Sequence, residues 1–89
     1  MNKAMVKCET DEGMFSNEKA VTLQADGGKV SLFADKDLIK ERKGASYLLV
    51  TLLSAKGTER LTRILLPSEA FEKGTRWLDV PSDLVEENI

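Results

Sequence analysis

Apolar and polar residues alternate through the first third of the chain. The alternation along Ala4–Thr10 predicts a β-strand with one buried face. The same two-residue period predicts strands at Ala20–Ala25 and Val30–Ala34. Between these two strands lies Asp26-Gly27-Gly28, where positive φ costs little, so the pattern predicts a β-hairpin.

The second half of the chain predicts three further strands. Ser46–Ala55 is rich in Leu, Val, Tyr and Thr, and its part Tyr47–Leu53 is apolar on both faces. Arg60–Leu66 follows the turn residues Lys56-Gly57-Thr58, which indicates a second hairpin. Thr75–Val80 is the sixth predicted strand, and Pro81 ends it because proline cannot donate a ladder hydrogen bond.

Three connectors have room for about one helical turn each, which is too short for a stable isolated helix. In the first, Asp35–Lys43, Asp35 is a candidate N-cap and Gly44 a candidate stop. Ser68–Gly74 and Pro81–Asn88 are the other two. Five to six short strands with turns between them predict an all-β fold in a single domain spanning residues 1–89.

The expected architecture is a small SH3-like β-barrel, because closure removes the unpaired edges of so small a sheet. An OB-like barrel is the alternative. It places a helix between its third and fourth strands, where Asp35–Lys43 falls, but that segment offers only Leu38 and Ile39 as apolar contacts.

Composition narrows the chemistry that this chain can perform. The 89 residues contain 42% hydrophobic residues and 15 acidic against 13 basic residues, which suits one modest core rather than a disordered chain. Histidine is absent and Cys8 is the only cysteine. These counts exclude an intrachain disulfide and histidine-dependent catalysis, and they argue against a zinc site. We expect Cys8 to be a buried core residue.

Carboxylates and glycines do not form a recognisable catalytic or ligand-binding motif. Glu9, Asp11 and Glu12 cluster in polar sequence that predicts solvation. Asp35-Lys36-Asp37 begins like a calcium loop, but Ile39 and Lys40 stand where a ligand and a glycine are required. We therefore expect a protein that is not an enzyme and has no cofactor, metal or small-molecule ligand.

The expected compartment is the cytoplasm. The first seven residues lack the apolar stretch of a signal peptide, and no run approaches the roughly 20 apolar residues of a membrane span. A lone cysteine is also typical of a reducing compartment.

Three aromatic residues predict a protein-binding surface. If Val30, Leu32, Leu78 and Val80 point inward, strict alternation directs Phe33 and Trp77 outward. Trp, Tyr, Phe and Arg are frequent at interface hot spots. The predicted partner is another protein or a second copy of the chain, and the predicted binding residues are Phe33, Tyr47, Arg63, Arg76 and Trp77.

Large apolar residues also lie in two connections between strands, at Met14-Phe15 and at Phe71. They either plug the ends of the barrel or project as contacts for a partner. Burying a phenylalanine is worth roughly 1.5–3 kcal/mol, which favours the plug.

Nucleic-acid binding is the alternative function, since small barrels often serve it. Its predicted contacts are the basic residues Lys36, Lys40, Arg42, Lys43 and Arg60. Arg63, Arg76, Trp77 and Phe33 are a possible stacking platform for bases.

Overall fold

The structure, a computed structural model, describes residues 2–54 and 59–87. Within these residues the chain forms eight antiparallel strands that make one strongly curled, half-barrel sheet. The strands are β1 (Lys3–Glu12), β2 (Glu18–Ala25), β3 (Gly28–Asp35), β4 (Ile39–Arg42), β5 (Ala45–Leu52), β6 (Leu61–Leu65), β7 (Trp77–Pro81) and β8 (Val85–Glu86). The predicted all-β, barrel-like fold is confirmed.

The strand order across the sheet is β3-β2-β1-β5-β6-β7. Two short strands lie off this path: β4 pairs with β5, and β8 pairs with β1. The predicted hairpin is present as β2–β3, and Gly27 at its turn has φ 91°. The second hairpin is β5–β6, in register at Thr51↔Leu65 and Leu52↔Ile64. Its predicted turn, Lys56-Gly57-Thr58, lies outside the described residues.

The core fills the concave side of the sheet, and the alternation of the strands supplies it. Buried residues include Ala4 and Val6 of β1, Leu32 of β3, Leu48 of β5 and Ile64 of β6, each at 0% exposure. Cys8 belongs to the same cluster, as the sequence predicts. Burial raises the pKa of its thiol to about 11, with a smaller contribution from the charge of Glu9.

Two of the three predicted helical connectors contain single 3-10 turns, at Lys36–Leu38 and Ser82–Leu84. The Asp35 carboxylate accepts a hydrogen bond from the Asp37 N–H at 3.1 Å, so the predicted N-cap is correct. Strand β4 follows immediately, and Gly44 (φ 81°) serves the turn to β5 instead of ending a helix. A three-residue turn does not supply the helix of the OB-like alternative.

The third connector, Ser68–Gly74, forms a single turn in which Gly74 N–H donates to Ala70 C=O at 2.8 Å, and the connector is also bonded to β3. Phe71 N–H donates to Ser31 C=O at 2.8 Å, and Ala70 N–H donates to Thr75 C=O at 2.9 Å. The Glu72 carboxylate accepts from Ser31 N–H at 2.8 Å, and Ser68 Oγ donates to Phe33 C=O at 2.6 Å. This connector thereby covers the outer edge of β3.

One backbone bond links the β2–β3 hairpin to β7 across the curled sheet. At the turn of the β2–β3 hairpin, Asp26 N–H donates to Asp79 C=O of β7 at 2.8 Å. No helix in the described part of the chain is long and apolar enough to cross a membrane.

Candidate protein-binding site

Trp77 projects from the outer face of β7, as the alternation predicts. Its neighbours Leu78 and Val80 are buried in the core, whereas the indole is 48% exposed. Antiparallel pairing places Trp77 opposite Leu65 and Asp79 opposite Arg63 of β6. Arg63, Trp77 and Asp79 therefore share one face of two adjacent strands.

These three side chains form a defined cluster, which we call the Trp77 cluster. Arg63 donates from Nε to Asp79 Oδ1 at 2.9 Å and from Nη2 to Asp79 Oδ2 at 3.0 Å. Its guanidinium carbon lies 4.5 Å from the centroid of the Trp77 ring. The bidentate bond to Arg63 is the main cause that holds the pKa of Asp79 below its usual value. Both the charge and the orientation of Arg63 are fixed by this arrangement.

The edge of β7 beside this cluster is partly covered, because Asp79 C=O accepts a hydrogen bond from Asp26 N–H at 2.8 Å and Trp77 C=O accepts one from Thr75 Oγ1 at 3.3 Å. Leu53 and Ser54 N–H both donate to Arg63 C=O, so the backbone of Arg63 faces β5 and not β7. Arg63 and Asp79 are therefore a non-hydrogen-bonded pair, and the backbone groups of Asp79 and, two residues earlier, Trp77 point away from β6. A concavity of about 280 Å³ lies here, lined in part by Lys73, Trp77 and Asp79.

Phe33 and Tyr47, the other two predicted rings, are half-buried and lie elsewhere. The Phe33 ring packs edge-on against Phe71, with centroids 5.0 Å apart and planes at 69°. Thr51 of β5 lies in one row across the sheet with Leu65 and Trp77, and Tyr47 is four residues before Thr51 on the same strand. The rise per residue separates Tyr47 from this row by about 13 Å along the strand.

Arg76 is also directed away from the Trp77 cluster. Its Nε donates to Leu66 C=O at 2.9 Å, while Leu66 N–H donates to Arg76 C=O at 2.6 Å. Of the five predicted binding residues, the structure thus brings together Arg63 and Trp77. Sequence reasoning missed Asp79, although its position two residues after Trp77 places it on the same strand face.

The expectation that Met14, Phe15 and Phe71 plug the barrel is wrong. Met14 is 73% exposed and Phe15 66% exposed, and Phe71 is 58% exposed although its ring contacts Phe33. The core cluster is filled instead by strand residues together with Leu66 and Ala70. The β1–β2 connection consequently projects two large apolar side chains into solvent.

The predicted nucleic-acid contacts are all exposed but do not form one group. Lys40 and Arg42 lie on β4, and Lys43 occupies the following turn with φ 50°. Lys36 belongs to the preceding 3-10 turn. Arg60 stands at the start of β6, where its carbonyl accepts a hydrogen bond from Ser82 N–H at 2.9 Å.

Acidic and sulfur groups do not assemble a metal site in the described residues. Comparisons of the chain with protein-family models, with curated proteins and with solved structures found no match.

Proposed function

We propose that the protein is a non-enzymatic binding module that docks on a partner protein through the Trp77 cluster and the adjacent concavity. The observation that carries this proposal is the half-exposed Trp77 ring, stacked against an arginine that Asp79 holds in place. Trp and Arg are the residue types most often found at interface hot spots. Arg63 is already ordered, so less side-chain entropy is lost when a partner binds.

The partner contribution that fits this surface is an extended segment of a protein chain. The backbone N–H of Trp77 points away from β6, so a carbonyl of such a segment can accept a hydrogen bond from it. The concavity of about 280 Å³ beside it lies at the lower limit for small-molecule pockets. It has room for one or two side chains, with an apolar one packing on the indole.

The size and composition of the cluster favour binding over catalysis. Asp79 is neutralised by Arg63 and keeps a lowered pKa, so it is a poor general base near neutral pH.

We place this function in the cytoplasm, because the single cysteine is a buried free thiol, as is usual in a reducing compartment.

Affinity capture from the native cell extract tests the proposal, with wild-type protein compared with Trp77→Ala and Arg63→Ala. Phe15→Ala is the matched control, since it also removes an exposed ring but from the β1–β2 connection. We expect a partner that the control retains and that both cluster variants lose. Proteins captured equally by all four versions would contradict the proposal.

A photoreactive residue at position 75 then locates the contact. Thr75 lines the same concavity as Trp77, so the proposed partner segment should cross-link there. Mass spectrometry of the cross-linked peptide identifies the segment. A synthetic peptide of that sequence should bind wild-type protein and bind Trp77→Ala at least tenfold more weakly, the equivalent of about 1.4 kcal/mol.

A further inference from the structure

A second surface lies on the outer face of β1, β5 and β4, away from the Trp77 cluster. Antiparallel register places Tyr47 of β5 between Lys7 of β1 and Lys40 of β4. Side chains directly opposite one another on a sheet have Cβ atoms about 4.5–5.5 Å apart. A tyrosine ring therefore stands in the middle of a row with a lysine on each side.

Two further cations extend this row. Arg42 lies two residues after Lys40, on the same face of β4, and Lys43 follows it in the turn. Arg42, Lys43, Lys7 and Tyr47 line one concavity of about 330 Å³, together with Ala45 and the carboxylate-bearing Glu86. We call Lys7, Lys40, Arg42, Lys43 and Tyr47 the basic face.

The charge of the basic face is opposite in sign to that of the whole chain. Three of its cations, Lys7, Arg42 and Lys43, line the concavity with one carboxylate, Glu86, whereas the chain carries a net charge of -2. In the described ranges 2–54 and 59–87, the ion pairs are Lys29–Glu9 and Arg63–Asp79, so neither uses these cations. Converging unpaired cations create a local positive potential that attracts an anionic ligand.

We propose that the basic face binds single-stranded nucleic acid. The four cations bind backbone phosphates, and the Tyr47 ring stacks on a base. A ring at the centre of the cations fits a single strand rather than a duplex, because only an unpaired base offers its face for stacking. This site is independent of the proposed protein-binding site.

Fluorescence anisotropy with a labelled oligothymidylate of roughly 12 nucleotides tests the proposal on the full chain. If all four cations contact phosphates, the slope of log K against log salt is about -2.8 for a single strand. Raising the salt from about 50 to about 200 mM then weakens binding about 50-fold. A duplex of the same length is the comparison ligand and should bind more weakly at each salt concentration.

Matched substitutions separate the basic face from diffuse charge. Arg42→Gln should weaken binding and reduce the slope by about 0.7. Arg60→Gln removes one positive charge outside the basic face and should leave the affinity and the slope unchanged. Tyr47→Leu should weaken binding 5-fold to 150-fold, the range expected for one lost stacking contact, and should not alter the slope. Tyr47→Phe keeps the ring and should retain the affinity of wild type. Glu86→Gln should tighten binding.

Several results would overturn the proposal: no binding at about 50 mM salt, equal losses in Arg42→Gln and Arg60→Gln, or duplex binding as tight as single-strand binding. Far-ultraviolet circular dichroism checks that each variant, including Trp77→Ala, is folded. Trp77→Ala should bind the oligonucleotide like wild type, so failure of this proposal is distinguishable from failure of the proposed protein-binding function.

Discussion

Replacing Thr62 by valine removes one hydroxyl from a buried pair that joins β6 to the 3-10 turn Ser82–Leu84. Thr62 is 1% exposed and Ser82 is 8% exposed. Their hydroxyl oxygens lie 2.6 Å apart. Valine has nearly the same shape as threonine, so the main effect of Thr62→Val is to leave the Ser82 hydroxyl buried without its partner.

The expected cost follows from this loss of a partner. Leaving a buried polar group unsatisfied costs about 1–3 kcal/mol, and Ser82→Ala should cost a similar amount by isolating the Thr62 hydroxyl. The double variant Thr62→Val with Ser82→Ala isolates neither group. We therefore expect it to cost less than the sum of the single variants, with a coupling free energy of about 1–3 kcal/mol.

Urea denaturation followed by Trp77 fluorescence measures the free energy of unfolding of all four proteins. A loss of 1 kcal/mol should also lower Tm by roughly 4–8 °C for a domain of this size. Ser16→Ala removes an exposed hydroxyl and should change stability by less than about 0.5 kcal/mol. Strictly additive single and double variants would refute the reasoning.

Two further predictions concern the β1–β2 connection and the core thiol. A Cβ on Gly13 would lie 2.5 Å from the carbonyl oxygen of Glu18, so Gly13→Ala must shift the backbone. This substitution should lower the urea midpoint by the equivalent of about 1–3 kcal/mol. Met14→Ala, which shortens an exposed side chain, should leave the midpoint unchanged. Because burial raises the pKa of Cys8 from 9.0 to about 11, its contribution to folding is complete below pH 9 and declines as the pH rises to about 11. Wild type should lose up to about 2–3 kcal/mol more than Cys8→Ala over this interval in urea denaturation, and equal losses would contradict this assignment.

The strands that the sequence predicts well are those in which one face is buried. Alternation in β2 and β3 places Val21, Leu23, Val30 and Leu32 inside, and the glycine-containing turn fixes their pairing. The same rule directs Trp77 outward. Local sequence is sufficient here because period and turn chemistry together determine which face each side chain occupies.

The elements that the sequence does not predict depend on distant partners. Strand β4 is Ile-Lys-Glu-Arg and β8 has two residues, so neither shows alternation strong enough to identify it. Each is a strand because an existing edge, on β5 or β1, offers hydrogen bonds. The position of the turn at Ser68–Gly74 has the same origin, since Phe71 N–H and the Glu72 carboxylate bond to Ser31 of β3.

Both candidate sites illustrate the same limit. Lys7 is 33 positions before Lys40 in the chain, and only the register of β1 and β4 against β5 places both beside Tyr47. Asp79 and Arg63 become a bidentate pair through the register of β6 with β7. Composition and motifs do not contain this register, so the sequence predicts the residue types of a site better than their grouping.

The exposed β1–β2 connection also provides an internal reference for measuring how often the sheet opens around β1. Met14 is 73% exposed, whereas Met5, nine residues earlier in β1, is only 1% exposed. Peroxide converts exposed methionine to its polar sulfoxide, and Met14 can accept this change without disturbing the core. Met5 reacts only when β1 separates from its neighbours. The ratio of sulfoxide at the two positions therefore measures how often the folded sheet opens, without any label being added.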